Sequence, residues 1–172
     1  MAAKKGTKNK NKRTAEMGRI YHKKTEVDGI VFDSQTEAEY YIYLKEQFNM
    51  RKIRKFEMQK EFILQNKFLI INGERIDESH KDFKKLQKAN PGCTTQAIKY
   101  IADFVVYYPN GVVQVIDVKG QKTADFKLKE KMFNFRYPEY NKLCCIVKYN
   151  KQWMEYEEAN KLKRAKKKSN KK

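Results

Sequence analysis

The stretch KYIADFVVYYPNGVVQVIDVKG, residues 99–120, decides the fold. Two runs of β-branched and aromatic residues flank Pro109-Asn110-Gly111, which is the pattern of a β-hairpin. Proline suits the first position of a type I turn, and glycine suits the left-handed position that follows it, so we predict a three-residue loop. Apolar residues occupy both faces of both runs, as is typical of a sheet that helices cover on each side.

This loop sets the register of the hairpin. It pairs Tyr108 with Val112, and stepping back along both strands places Asp103 directly opposite Asp117, with Cβ atoms about 4.5–5.5 Å apart. Lys119 lies two residues beyond Asp117 on the same face. Charged side chains on an otherwise apolar sheet are unfavourable unless their charges are compensated. The simplest compensation for these two acids and the lysine is a divalent cation held by both carboxylates. Two alternatives stay open: a two-residue Asn-Gly loop would shift the register by one, and acids at strand ends would meet solvent.

Upstream of the hairpin, the sequence predicts a smaller hairpin and then a helix. Asp28-Gly29 between two short β-type runs is a strong turn signal. The run SQTE matches a capping box, in which Ser34 and Glu37 satisfy each other's backbone donors, so we expect a helix from Ser34 to about Phe48.

Glu37 has a second interpretation on this helix. Glu37 lies at the start of a row of apolar side chains that must face the sheet, formed by Tyr41, Leu44 and Phe48. Its carboxylate would then also point inward. Capping and an inward position are equally compatible with the spacing. The helix also carries three tyrosines that either pack in the core or stack on bases: Tyr40, Tyr41 and Tyr43.

The remaining segments complete an α/β pattern. Residues 51–65 alternate as one or two strands, and the polar residues 72–97 form an excursion from the sheet with a short helix at 79–89. Thr123 caps a helix to about Arg136, with Leu128, Met132 and Phe135 at helical spacing. Residues 143–149 indicate a buried strand and residues 152–168 a last, increasingly basic helix. We therefore predict one mixed central sheet flanked by helices on both faces, within a domain of residues 19–160.

Charge is concentrated at the two ends of the chain. The 172 residues include 39 Lys/Arg and 21 Asp/Glu, giving a net charge of +18. Residues 1–24 hold nine Lys/Arg and one Glu, and residues 161–172 hold eight Lys/Arg and no acid, so the tails carry +16 and the middle only +2. We expect residues 1–18 to be a disordered basic arm and residues 161–172 a basic tail that continues the last helix.

Such tails are either phosphate-binding segments or solubility tails. The predicted phosphate contacts weaken steeply as salt rises. The candidate nucleic-acid-binding residues are Lys4, Lys5, Lys23, Lys24, Lys122, Lys166 and Lys167.

Composition excludes several classes of protein. No run of about 18 apolar residues and no secretory signal occurs, so we expect a soluble, cytoplasmic protein that does not bind membranes. Three cysteines and two histidines provide little for zinc sites or Cys/His nucleophiles. Neither GxxxxGK[ST] nor GxGxxG is present, which argues against a nucleotide cofactor. Any chemistry must therefore depend on carboxylates and lysines.

Glu37 in FDSQTEAEYY, Asp103 in YIADFVVYY and Asp117-Val118-Lys119 in VVQVIDVKG resemble the PD-(D/E)XK nuclease superfamily, in which a helix glutamate precedes a hairpin carrying D and then (D/E)xK. The run from residue 19 to about residue 157 is more narrowly similar to small phage-encoded endonucleases of that superfamily, which include Holliday-junction-resolvase-like enzymes. Ala102 replaces the proline of the motif, and Asp117 takes a position where Glu is frequent.

The resemblance implies a PD-(D/E)XK core and Mg²⁺- or Mn²⁺-dependent hydrolysis of DNA phosphodiesters. Asp103 and Asp117 would be metal ligands together with the Val118 carbonyl, and Glu37 would bind a second ion or orient water. Lys119 would position the attacking water or stabilise the transition state. Two further candidates come from the resemblance alone: Gln59 and Lys127.

We expect a structure-directed DNA endonuclease acting in phage-type recombination, replication or repair. Junction resolution would require two symmetric cuts and therefore a homodimer. The alternative is a noncatalytic nucleic-acid-binding protein whose carboxylates are structural.

Overall fold

The computed structural model describes residues 24–169. The predicted arm over residues 1–18, with Lys4 and Lys5, lies outside the described residues, as do Lys23 and residues 170–172. Within the described range, no helix is long and apolar enough to cross a membrane.

The described part of the chain is an α/β fold with four helices and a five-stranded mixed sheet. The strands are β1 (Thr25–Val27), β2 (Ile30–Phe32), β3 (Lys55–Gln65), β4 (Phe68–Ile71), β5 (Glu74–Asp77), β6 (Thr94–Thr95), β7 (Ile98–Tyr107), β8 (Val113–Val118), β9 (Leu143–Tyr149) and β10 (Gln152–Glu155). The helices are α1 (Gln35–Asn49), α2 (Phe83–Ala89), α3 (Ala124–Arg136) and α4 (Tyr156–Ser169), with a 3-10 turn over Pro138–Tyr140.

The central sheet has the strand order β10-β9-β8-β7-β3, in which only β8 and β9 are parallel. One apolar core lies between this sheet and α1 and includes Leu44, Phe104 and Ile116. A second core on the opposite face lies under α3 and includes Phe126 and Phe133. The prediction of a mixed sheet with helices on both faces is therefore confirmed.

Both helices that flank the sheet begin where the sequence predicts. The Ser34 side chain accepts a hydrogen bond from the Glu37 N–H at 3.2 Å, and the Thr123 side chain accepts one from the Phe126 N–H at 3.2 Å. Each hydroxyl satisfies a backbone donor that the first turn of a helix leaves unpaired.

The β7–β8 hairpin has the predicted three-residue loop. The Tyr108 N–H donates to the Val112 carbonyl at 2.9 Å, and Gly111 takes the left-handed conformation with φ of 84°. Phe104 pairs with Ile116, which is the register that the sequence predicts. The alternative Asn-Gly loop, which would shift this pairing by one residue, is thereby excluded.

Side chains on β3 and β7 change faces part way along these strands. Met58 packs on the α1 side and Phe62 on the α3 side, although residues at an even separation share a face in a regular strand. Phe104 and Tyr100 are divided in the same way on β7. The change occurs at Gln59, whose φ of 53° is the only left-handed conformation inside a strand of residues 24–169.

Two segment boundaries differ from the prediction. The excursion contains a three-stranded sheet of order β5-β4-β6 and therefore begins at Phe68 rather than at residue 72, and its helix is only Phe83–Ala89. Residues 152–155 are strand β10 rather than the start of the last helix. Asn150 and Lys151 both have positive φ, so they form a tight turn that folds β10 back onto β9.

Two predicted apolar stripes are wrong in part. On α3, Leu128 is 59% exposed and Phe135 is 91% exposed, whereas Phe126 and Phe133 form the buried face. On α1, Phe48 is 48% exposed, whereas Leu44 is buried in the core under this helix. Helical spacing identifies a stripe, but the packing partner decides which of two neighbouring stripes is buried.

Candidate active site

The hairpin register places Asp103 and Asp117 side by side, one residue beyond the Phe104–Ile116 pair. The Asp117 side chain is only 1% exposed. Oδ2 of Asp103 accepts a hydrogen bond from the Val118 N–H at 2.7 Å, which ties this carboxylate to the neighbouring strand. Two acidic side chains are thus held together where the sheet is otherwise apolar.

The two oxygens of Asp117 have different surroundings. Oδ1 accepts a hydrogen bond from the Tyr100 hydroxyl at 2.9 Å. Lys119 Nζ lies 2.9 Å from Oδ2, but without the angles of a hydrogen bond. Oδ2 is therefore buried, and among the described residues it has an ion pair with Lys119 but no well-aligned hydrogen bond. A carboxylate oxygen that has an ion pair but no aligned hydrogen bond keeps lone pairs that can bind a metal ion.

The pKa values of this group reflect burial and repulsion. Burial and then the charge of Asp117 raise the pKa of Asp103 to about 7, against the hydrogen bond from Val118. Burial also raises the pKa of Asp117, and the charge of Lys119 opposes that effect. Burial lowers the pKa of the Lys119 ammonium, but the combined attraction of Asp117 and Asp103 outweighs burial and raises it.

Glu37 serves both of the roles that the sequence left open. The Ser34 hydroxyl donates a hydrogen bond to Glu37 Oε1 at 2.9 Å. The Glu37 carboxylate therefore takes part in the helix cap by bonding the Ser34 side chain, and not the Ser34 backbone N–H. The same residue lines the cleft that contains Asp117 and Lys119. Burial raises the pKa of Glu37, against the hydrogen bond from Ser34.

The cleft has a volume of 880 Å³ and lies between the start of α1, strand β7, the end of β8 with the following loop, and the first turns of α3. It exists because α1 begins at Gln35 and leaves the far half of β3 and β7 uncovered on that face. Ile63 and Ile101 are accordingly 39% and 51% exposed. Glu37, Asp117 and Lys119 line the cleft together with residues 99–101 of β7, whereas Asp103 does not line it.

The donor set suits a hard divalent cation. No three His, Cys, Asp or Glu side chains of residues 24–169 come together as a complete metal cage. Mg²⁺ is usually held by one or two carboxylates, with water and substrate oxygens completing its coordination. The Asp103–Asp117 pair supplies two carboxylates, and Glu37 lies on the cleft that Asp117 also lines.

Of the other predicted residues, Gln59 lies beside Asp103 and the rest lie away from the paired acids. Gln59 is exposed and lies opposite Asp103 in the register between β3 and β7. Lys127 is exposed on the outer side of α3 and does not line the cleft. The α1 tyrosines are largely core residues, since Tyr40 is 4% and Tyr41 is 8% exposed.

The predicted phosphate-binding lysines divide into two groups. Lys24, Lys166 and Lys167 are exposed. Lys122 is buried and forms ion pairs with Glu130 of α3 and Glu157 of α4. The prediction that Lys122 contacts phosphate is corrected accordingly, because its ammonium links two helices inside the fold.

Sequence reasoning missed Tyr100. Strand alternation places a residue three positions before Asp103 on the opposite face, so no periodic signal could have put its hydroxyl beside Asp117. The change of faces at Gln59 brings it there. Burial and the charge of Asp117 raise the pKa of Tyr100, so the phenol remains a proton donor to the carboxylate.

No curated protein and no solved structure matches this chain. One family model, described as a protein of unknown function and designated DUF1064, matches residues 17–154. That match covers the helix with Glu37, the central hairpin with both acids, and Lys119. The chain therefore belongs to the DUF1064 family.

Proposed function

We propose that this protein is a metal-dependent DNA endonuclease with a PD-(D/E)XK-type core. The observation that carries the proposal is the apposition of half-buried Asp103 and buried Asp117, with the Lys119 ammonium 2.9 Å from the Asp117 carboxylate. Burying two like charges destabilises a fold unless they acquire a partner. A functional role explains why the chain keeps this arrangement in a cleft wide enough for a phosphodiester.

Asp103 and Asp117 would hold a Mg²⁺ or Mn²⁺ ion together with the Val118 carbonyl, and Glu37 would hold a second ion or a water. The ion would supply Lewis acidity and lower the pKa of water at neutral pH. The chain's own residues orient this site: the Tyr100 hydroxyl fixes one oxygen of Asp117, and the Val118 N–H fixes one oxygen of Asp103.

Lys119 has the position and charge to stabilise the scissile phosphate. Its side chain is 36% exposed and lines the cleft, while its raised pKa keeps the ammonium charged at neutral pH. A preorganised cation stabilises the negative charge that accumulates in phosphoryl-transfer transition states. Glu37, across the cleft, orients water through its carboxylate.

The proposed substrate is DNA of particular structure, cut in the cytoplasm during phage-type recombination, replication or repair. Exposed lysines of α4 and the basic residues of both tails favour a polyanion. Resolution of a four-way junction would make the active form a homodimer, because two symmetric cuts need two copies of the site.

The test compares cleavage of duplex, flap, fork and four-way-junction DNA with Mg²⁺ and with EDTA. We expect cleavage only with metal, DNA binding under both conditions, and a loss of about 100-fold or more in rate for Asp117→Asn. Asp125→Asn, an exposed acid on the same cleft, is the matched control and should cleave normally. Full cleavage by Asp117→Asn, or cleavage in EDTA, would refute the assignment.

A noncatalytic nucleic-acid-binding protein is the second candidate function. The 2.9 Å contact between Lys119 and Asp117 favours it, since the lysine already neutralises one of the two acids. This candidate predicts metal-independent binding with no cleavage of any DNA in the panel.

A further inference from the structure

The outer side of α3 carries an aromatic ring that the fold does not use. Phe135 is 91% exposed, more than any other large apolar side chain of residues 24–169. Leu128, seven residues earlier and therefore on the same side of the helix, is 59% exposed. A single exposed apolar side chain is common on protein surfaces, so the case for a binding partner depends on the residues that surround this ring.

Two lysines align with this ring. Lys127, Lys131 and Phe135 are spaced four residues apart and form one row along α3. Both lysines are exposed, and neither forms an ion pair within the described part of the chain. On another side of the same helix, Lys129 is paired with Asp125 at 3.1 Å. The row therefore combines an aromatic face with two uncompensated positive charges.

The two positive charges of this row determine which kind of partner can bind to it. An apolar protein surface would bury both lysines without partners, which is costly. A second copy packed through the same face would bring lysines against lysines. Nucleic acid satisfies both features, because a base stacks on the ring while phosphates pair with the ammonium groups.

We propose that Phe135, with Lys127 and Lys131, binds an unpaired nucleobase of the DNA substrate. The inference rests on the proposed nuclease function and narrows its substrate. Helix α3 begins in the cleft, where Asp125 lies, and Phe135 is ten residues further on, a rise of about 15 Å. The substrate then has unpaired bases about 15 Å along α3 from the cleft, as single strands and branch points do.

The test measures binding by the full chain in EDTA, so that cleavage plays no part. Affinities for a single-stranded oligonucleotide and for a duplex of equal length are compared, and a 2-aminopurine base in the single strand reports stacking through quenching. Phe135→Ala should weaken single-strand binding about 5- to 150-fold and abolish the quenching. Duplex affinity should change less than about twofold, because a paired base offers no free face.

Two control variants isolate the ring. Phe135→Tyr should retain both affinity and quenching, since it keeps the aromatic face. Phe48→Ala removes another exposed phenylalanine, on α1, and should leave both unchanged. Unaltered single-strand binding by Phe135→Ala would overturn the inference, and so would an equal loss for duplex or a change in oligomeric state. The nuclease proposal itself is tested separately, through cleavage by Asp117→Asn.

Discussion

The paired acids make a quantitative prediction about stability without metal. In the folded protein, the pKa of Asp103 is raised from 3.8 to about 7. Between pH 3.8 and about pH 7, Asp103 is deprotonated in the unfolded chain but still protonated in the folded protein. Stability therefore decreases as pH rises through this range, which is the opposite of the usual effect of a salt-bridged acid.

The size of the effect follows from the shift. One pKa unit corresponds to about 1.4 kcal/mol, so Asp103 should lower the free energy of unfolding by about 2–3 kcal/mol between pH 5 and pH 8. For a domain of this length, that loss corresponds to a decrease of about 5–10 °C in melting temperature. Asp103→Asn should remove most of this slope, because Asn keeps the acceptor for the Val118 N–H but carries no charge.

The assay is thermal and urea unfolding in EDTA at pH 5, 6, 7 and 8 for wild type, Asp103→Asn and the control Asp125→Asn. Asp125 is 72% exposed, so its variant should keep the wild-type slope. Mg²⁺ at pH 8 should raise the melting temperature of wild type more than that of Asp103→Asn, through binding to the folded state. Equal slopes for wild type and Asp103→Asn would refute the argument that burial and the charge of Asp117 raise the pKa of Asp103.

Three further predictions concern the helix cap, the strand irregularity and the basic ends. Glu37→Gln should keep the melting temperature within about 2 °C, since the Gln side-chain oxygen can still accept the hydrogen bond from the Ser34 hydroxyl, while lowering the cleavage rate; unchanged turnover would leave Glu37 a capping residue only. At the left-handed position, Gln59→Gly should maintain or increase stability, whereas Gln59→Val should lower it by about 1–3 kcal/mol in urea unfolding; equal effects would contradict the backbone strain. Removing residues 1–18 and changing Lys166 and Lys167 to Gln should make the slope of log affinity for duplex DNA against log salt shallower by about 0.9 per lost phosphate contact, and an unchanged slope would exclude these contacts.

Local sequence determined the elements that depend on neighbouring residues. The Pro109-Asn110-Gly111 loop fixed the register of β7 and β8 and thereby the apposition of Asp103 and Asp117, because a turn type has a definite residue count. The caps at Ser34 and Thr123 likewise act within one helical turn. These features were predictable because their energetics involve residues close together in the chain.

Elements whose position depends on distant partners were not predictable in this way. Residues 152–155 read as helix, but pairing with β9 made them a strand. Helical spacing predicts an apolar stripe on α3 with Leu128 and Phe135, whereas packing against the sheet buries Phe126 and Phe133. In each case a tertiary contact outweighed a local pattern of similar strength.

The candidate site shows the same division. Its two acids and Lys119 followed from strand register, a short-range property. The burial of Lys122 between Glu130 and Glu157, and the hydrogen bond from Tyr100 to Asp117, did not. The positions of α3 and α4 determine the burial of Lys122. The left-handed backbone at Gln59 determines the hydrogen bond from Tyr100, because it reverses the faces of β3 and β7. Periodicity assumes a regular strand, so only the tertiary structure could place the Tyr100 hydroxyl on the carboxylate it orients.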